Sequence, residues 1–333
     1  MSAIASPHSS QSRPVTLCRD ASALPAHLKQ PVLAVGNFDG LHRGHRSVID
    51  AARHLAATLE RPCAILTFDP HPRSYFRPDE PVFRLTPDPL KAAILGHWGI
   101  HGLILLPFNS AMASTSAAAF IDTIVFGTLD AAGVVVGHDF HFGKGREGSP
   151  AFIAEHAQAQ GRAAVIVPPL TAFDEPVSST TIRTALAEGD MVHAAHLLGY
   201  RYLFQAEVHH GEKIGRTLGF PTANLRLPPE NGLMEGIYAV RVEVDGKVHD
   251  GVASFGRRPT FDNGAPLFEI WLMDFAGDLY GKTLTVECVQ RQRGELKFDG
   301  VEALIEQMHK DAAEARAILA VPPAEDAPSL LPL

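Results

Sequence analysis

At 333 residues the chain is long enough for two separate cores, because a single core rarely outgrows roughly 250 residues. Its 46% hydrophobic and 20% charged residues are ordinary for a folded protein and exclude wholesale disorder; the longest apolar runs, Gly102 to Phe108 and Ala131 to Gly137, fall far short of the ~20 residues of a membrane-spanning helix. A net charge of -8 argues against a nucleic-acid partner, and three widely spaced cysteines without a CxxC pair fit a reducing cytoplasm.

Met1 to Arg13 is Ser-rich with no apolar stretch behind a basic start, so it reads as a disordered tail rather than a secretory signal. From Pro31 to Gly189 short β-branched runs alternate with helical stretches, the pattern of βαβ units on a parallel sheet. Strands are predicted at Val32–Val35, Ala64–Phe68, Leu103–Leu106, Val134–Val136 and Ala164–Val167. The first intervening helix carries Val48, Ala52 and Leu55 on one face; another is expected to take Thr86 as N-cap and Pro87 as its first residue, burying Leu90 and Ile94. Met191 to Leu198 reads as a short helix ended by Gly199, and the hydrophobic period then changes from about 3.6 to 2. A boundary is expected there, between one domain at 15–190 and a second at 200–320.

Beyond the boundary, runs at Tyr202–Val208, Ile237–Val244, Lys247–Phe255, Phe268–Phe275 and Thr283–Gln290 follow one another without helices, which predicts an antiparallel sheet closed into a small barrel. Tyr238, Val240, Val242 and Val244 share one face, and Asp245-Gly246 favours a tight hairpin. Val301, Leu304, Ile305, Met308, Ala312 and Leu319 mark a terminal helix expected to cover an open side of the barrel; the Pro-rich tail from Val321 is expected to be loose. The expected fold class is α/β plus all-β, a Rossmann-like domain with a parallel sheet followed by the barrel and its helix.

Two constellations carry chemistry. Directly after the first strand comes Gly36-Asn37-Phe38-Asp39-Gly40-Leu41-His42-Arg43-Gly44-His45, running into a helix start, where backbone donors and the dipole favour a phosphate. His42 and His45 are spaced to share a face, and Gly40 and Gly44 permit close approach. Two histidines in a Gly-rich turn are also open to a purely structural role, but their place after strand one favours phosphate. Ser178, Ser179, Thr180 and Thr181 sit at a second helix start, followed by Arg183; they read either as a simple cap or as donors for triphosphate oxygens. The second constellation runs from Gly211 to Asn224, with Lys213, Arg216, Thr222 and Asn224, and lacks the GKS/T ending of a Walker loop. It reads as a strand-joining loop or as phosphoryl-transfer machinery with oxygen ligands for magnesium. Glu269, among Phe268, Ile270, Trp271 and Leu272, reads as an exposed rung or as a partly desolvated base.

GNFDGLHRGH, TFDPHP at Thr67 to Pro72, GHDFHFGKGREG at Gly137 to Gly148 and VSSTTIR resemble the nucleotidyltransferase half of bacterial bifunctional riboflavin kinase/FAD synthetases. GRTLGFPTAN, GIYAVRV, GVASFGRRPTF, FEIWLMDFAGDLYG and RGELKF resemble the riboflavin kinase half of the same family. The resemblance implies an FMN adenylyltransferase domain with His42, His45 and Arg183 in catalysis. It implies ATP contacts from Gly36, Phe38, Asp39, Gly44, Ser179 and Thr180, and flavin contacts from Asp69, Pro70, His71, Phe140 and Phe142. In the second half it implies ATP contacts from Gly215, Arg216 and Thr217, Mg2+ on Thr222 and Asn224, and Glu269 as the base. Riboflavin, FMN and ATP are the implied substrates of a cytoplasmic monomer or weak oligomer with no nucleic-acid or membrane partner. His138, Thr181 and Ser254 depart from the commoner residues of the family at their positions. The competing expectations are a nucleotidyltransferase for another phosphorylated small molecule and a flavin-binding regulator without catalysis.

Overall fold

A computed structural model of the chain describes residues 14–172, 175–211, 220–257 and 266–333. The Ser-rich tail at 1–13 and the phosphate-loop candidates Gly215, Arg216 and Thr217 lie outside the described residues. Six parallel strands form the first sheet: β1 (Thr16–Cys18), β2 (Val32–Val35), β3 (Cys63–Asp69), β4 (Gly102–Pro107), β5 (Gly133–Gly137) and β6 (Ala163–Val167), in the order β1-β4-β3-β2-β5-β6. Each predicted strand is present within two residues. The three-residue edge strand β1, parallel to β4, was too short to carry a periodic signal.

The continuous apolar runs are explained by burial on both faces. Val32 and Ala34 enter one core while Leu33 and Val35 enter the other. The helices are α1 (Arg43–Thr58), α2 (Pro72–Phe76), α3 (Asp88–His97), α4 (Ser110–Ser114), α5 (Ala117–Ala119), α6 (Pro150–Ala159), α7 (Ser179–Glu188) and α8 (Met191–Leu198). Val48, Ile49, Leu90, Ile94 and Ile182 from α1, α3 and α7 fill the first core; Ala117, Ile121, Val125, Ile153 and Ala157 fill the second. From β2 the chain adds β3 and β4 on one side and β5 and β6 on the other, so the strand order reverses between β2 and β5. Ligands of open α/β sheets bind outside the carboxyl ends of the strands at such a point.

The expected cap of α3 is corrected. Pro87 occupies the N-cap position without a side-chain bond. Thr86 serves a tertiary partner instead: its hydroxyl accepts from the Gly40 N–H at 2.8 Å and its own N–H donates to Asp39 Oδ1 at 3.1 Å. A buried Gly-rich turn has unpaired donors to satisfy, and that demand outweighs a local cap.

A short antiparallel strand pair, β7 (Thr171–Ala172) with β8 (Glu175–Pro176), precedes α7. After α8 ends at Gly199, whose φ of 81° is the left-handed cap that glycine tolerates, the barrel begins. Its strands are β9 (Leu203–His209), β10 (Thr222–Arg226), β11 (Gly236–Val244), β12 (Lys247–Arg257), β13 (Pro266–Leu272) and β14 (Thr283–Arg293), all antiparallel and closed in the order β10-β13-β12-β11-β14-β9. Asp245 and Gly246, at φ 50° and 77°, make the hairpin between β11 and β12. The strand β10 hid within the Gly/Pro-rich stretch and was not foreseen.

Two further expectations are corrected. Because the barrel is closed, the terminal helix α9 (Val301–Ala320) covers no open side; Ala315 and Leu319 lie on the outer wall against Ala239, Met273 and Val289, while Val301 is 58% exposed. Nor is the segment after Val321 loose. Ala327 and Leu330 are buried, Asp326 pairs with Arg43 at 3.3 Å and with His196 at 2.7 Å, and the Leu333 N–H reaches Glu243 at 3.1 Å. The Tyr200 hydroxyl adds a buried bond to the Gly40 carbonyl at 2.6 Å, tying the barrel side to the turn after β2.

Candidate active sites

The turn after β2 is built under constraint. Phe38, Gly40 and Leu41 have φ of 46°, 89° and 43°, and the Phe38 and Leu41 side chains are fully buried, anchoring a backbone that non-glycine residues seldom adopt. At that φ any side chain on Gly40 would be strained, and its Cβ would also press on Leu85 at 2.8 Å, so glycine is favoured there. The turn delivers His42 as the N-cap of α1, where its Nδ1 accepts the His45 N–H at 3.2 Å. That bond places the His42 ring proton on Nε2, leaving it as a donor. The two imidazoles stack at 3.6 Å and 19°. Burial, helped by the Arg183 charge, lowers the His42 pKa to about 3. Burial, with the positive charge that His42 would carry if protonated and that of Lys91, holds His45 well below its usual value. Both rings are therefore neutral hydrogen-bonding groups at neutral pH. The Nδ1 of His45 is buried with no partner among the described residues.

Gly44 keeps this pair together: a Cβ there would stand 3.2 Å from the His42 ring. Gly36 similarly admits the Phe38 ring at 3.2 Å. Asp39, expected among ATP contacts, is the counter-ion of Arg183 from α7. Arg183 also donates to the Phe83 carbonyl at 2.7 Å and the Ser179 carbonyl at 3.1 Å, and the Ser179 hydroxyl donates to the Asp39 carbonyl at 2.8 Å. The start of α7 is thus fastened to the turn carrying His42 and His45. Ser178 is the N-cap and forms a capping box with Thr181, so the residue that departs from the family pattern has a structural task. Thr180 is exposed at this helix start.

The flavin candidates flank the same turn, because β3 and β5 are the two neighbours of β2. Asp69 pairs with Arg19 at 3.4 Å and Arg84 at 3.3 Å. Pro70 is exposed, and His71 caps α2 through Nδ1, with burial lowering its pKa to about 4. Phe140 stacks on Phe142 at 5.4 Å and 15°; Phe142 itself is buried against Phe120, Phe152 and Gly148, so it is taken up by the core while Phe140 is partly exposed.

The barrel gathers the second set on its outer wall. Asn224 of β10 lies directly opposite Glu269 of β13, and Ser254 of β12 flanks Glu269 on its other side. Thr222 and Asn224 share a face, as do Glu269 and Trp271, while Ala223, Phe268 and Ile270 point into the barrel core. Glu269 is half-buried on this wall, so its apolar strand neighbours do not enclose it. Asn224 is 8% exposed, and Gly211 leaves it room, since a Cβ there would fall 2.5 Å from the amide. Trp271 meets Phe220 edge-on at 4.8 Å. Among the described residues no cluster of three His, Cys, Asp or Glu is placed to hold a metal.

Sequence reasoning missed the buried polar floor beneath the first site: Thr67, Thr86 and Lys91. Lys91 is 2% exposed on α3, although its spacing gave no hint that a lysine would face inward.

A family model described as FAD synthetase matches residues 24–181, and one described as riboflavin kinase matches residues 198–319. The bifunctional riboflavin kinase/FMN adenylyltransferase of Pseudomonas fluorescens is 40% identical over 290 residues, covering 87% of this chain and 93% of that protein. The Listeria monocytogenes enzyme of the same description is 40% identical over 295 residues, covering 87% and 92%. A crystal structure described as a macrolide-efflux protein from Streptococcus pneumoniae superposes with a TM-score of 0.81 at 30% identity, covering 91% of this chain and 99% of that one. No helix among the described residues here is long and apolar enough to cross a membrane.

Proposed function

Because the chain belongs to the family of bifunctional riboflavin kinase/FMN adenylyltransferases, and so phosphorylates riboflavin to FMN and adenylylates FMN to FAD with ATP, we propose that the two reactions run at separate sites. Residues 15–190 carry adenylyl transfer, and residues 200–320 carry the kinase step, in a cytoplasmic enzyme that works as a monomer or weak oligomer. The observation that carries this division is the segregation of two sets of polar groups: His42, His45 and Arg183 at the carboxyl ends of the parallel sheet, and Thr222, Asn224 and Glu269 on one outer wall of the barrel.

In the kinase step the Glu269 carboxylate takes the proton of the ribityl 5'-hydroxyl as that oxygen bonds to the γ-phosphorus; the bond to the β–γ bridging oxygen breaks and ADP leaves. A hydroxyl and an amide oxygen on one face, Thr222 and Asn224, are hard neutral donors of the kind Mg2+ accepts alongside phosphate oxygens and water. Thr222 and Asn224 would hold the ion, which would supply positive charge to the phosphates. In the second reaction an FMN phosphate oxygen bonds to the α-phosphorus of ATP while the α–β bridging bond breaks and pyrophosphate leaves. The neutral rings of His42 and His45 and the Arg183 guanidinium supply fixed donors for the charge that develops. Ser179 and Thr180 stand at the same helix start. Asp69, Pro70, His71 and Phe140 border the flavin.

The test is a time course with riboflavin, ATP and Mg2+, the flavins being separated at each point. FMN should appear first and FAD follow. His42→Ala with His45→Ala should lower FAD formation by roughly two to three orders of magnitude and leave FMN formation intact. Glu269→Gln should abolish FMN formation and still convert supplied FMN. Loss of both activities in either variant contradicts separate sites.

A further inference from the structure

The adenylyl-transfer site must hold two phosphate-bearing substrates, yet most of its cations are already engaged. Arg183 gives three of its five N–H donors to Asp39 and two carbonyls, and Arg84 pairs with Asp69 and Asp88. Lys91 differs. Its side chain is almost wholly buried, its Nζ stands 3.4 Å from the Asn37 carbonyl, and no carboxylate among the described residues lies within ion-pairing distance of it. An ammonium has three donors, so two of these lack an acceptor among the described residues. Removing such a charge from water is costly, and buried charges without a direct ion-pair partner gather at functional sites.

Its position is specific. Asn37 opens the turn after β2, and the Thr67 hydroxyl at the end of β3 donates to the same carbonyl at 2.9 Å. His45 on α1 and His71 before α2 both lie within electrostatic reach of the ammonium. Lys91 therefore sits beneath the seam between the HxGH segment and the TFDPHP segment, where an attacking phosphate must meet the α-phosphorus.

Resting on the assignment of adenylyl transfer to this half, we infer that Lys91 is a further substrate-binding residue of that reaction, its ammonium holding the phosphate of FMN in line with the α-phosphorus of ATP. Lys91 keeps its proton throughout; the new bond forms from an FMN phosphate oxygen and the electron pair of the broken bond leaves with pyrophosphate. Riboflavin, which has no phosphate, gains nothing from this contact, so Lys91 helps select FMN over its precursor.

Burial lowers the Lys91 pKa to about 8; Asp39, Asp88 and Asp69 oppose that fall and Arg84 assists it, while His45 and His71 are neutral. The ammonium is charged below that value and lost above it, so FMN binding should weaken as pH rises from 7 to 9. The second ionisation of a phosphate monoester, near pH 6, is about nine-tenths complete at pH 7 and only strengthens the phosphate's charge above it, so it cannot cause the loss.

Full-length Lys91→Met and Lys91→Arg test the inference through steady-state FAD formation, with FMN formation from riboflavin followed on the same protein. Lys91→Met should raise KM for FMN about ten-fold or more, the loss of a charge-assisted contact, with KM for ATP and the kinase rate essentially unchanged. Lys91→Arg should recover most of the affinity, and its KM for FMN should stay flat from pH 7 to 9 where the wild-type value rises. Equal rises in both KM values, a fall in kcat alone, or a pH dependence that persists in Lys91→Arg overturns the inference and leaves Lys91 as a prop for the Asn37 turn. If Lys91→Met does not fold, the pH profile of Lys91→Arg still decides. FAD formation that survives His42→Ala with His45→Ala refutes the site assignment itself; its loss there, with an unaltered KM in Lys91→Met, refutes only the role of Lys91.

Discussion

His42, His45 and His71 show how burial converts an ordinary residue type into a specialised one. In the unfolded chain each titrates near 6.5, whereas burial, helped by Arg183, brings His42 to about 3, and burial, opposed by Asp39 and helped by Arg183, Lys91 and Arg84, brings His71 to about 4. Folded pKa values below the unfolded ones mean that the unfolded state binds more protons between roughly pH 6.5 and 4. The stabilisation is complete above 6.5 and is lost as pH falls through that range. Acid titration of unfolding stability should show this slope, and His71→Asn should take up about one proton fewer on unfolding across the window. A slope unchanged in His71→Asn would contradict the burial of that ring. The residue types were legible in HRGH and TFDPHP; their neutrality was not, because it depends first on burial by other elements and then on the charges of Arg183 and Lys91.

At the scale of the element, the start of α1 depends on a glycine whose φ is unexceptional. Gly44→Ala should favour the helix by propensity, roughly 1 kcal/mol, yet its Cβ would press on the His42 ring at 3.2 Å. The expected outcome is a stable protein whose FAD formation falls about ten-fold while FMN formation is unchanged, measured by paired assays on one preparation. The same scale explains the capping error. TPDPL reads as cap and first turn, but Thr86 bonds Gly40 and receives nothing from α3. Helix α9 is legible from its period, although Val301, at the same spacing, stays exposed because the packed face stops short of it. The strand β10 was hidden because Thr222 to Arg226 alternates for only five residues and follows a Gly/Pro-rich stretch.

For the whole molecule, the segment after α9 acts as a strap over the junction of the two halves. Asp326 links Arg43, beside His42, to His196 on α8, and Ser329 donates to Glu287, a fully buried carboxylate that also meets Arg201 at 3.3 Å and Arg241 at 3.7 Å. Ending the chain at Ala320 would delete the buried Ala327 and Leu330, uncover the apolar surface they pack against, and remove one partner of Glu287. Stability should fall by roughly 2–4 kcal/mol, read from denaturant unfolding, and the two halves should then unfold in separate steps. An unchanged midpoint would contradict the strap.

The sequence by itself determined the two-part architecture, since the change of period near Gly199 and the Asp245-Gly246 hairpin are local signals that survive any tertiary arrangement. It also determined the family, because HxGH after a strand and the GRTLGFPTAN stretch stand in continuous runs. What only the tertiary structure decided was how charge is handled. Asp39 proved to be the counter-ion of Arg183 from 144 residues away, and Lys91 proved to be buried under the turn after β2. The tail proved to be docked. Burial and ion pairing are properties of distant segments brought together, and no spacing along one segment encodes them.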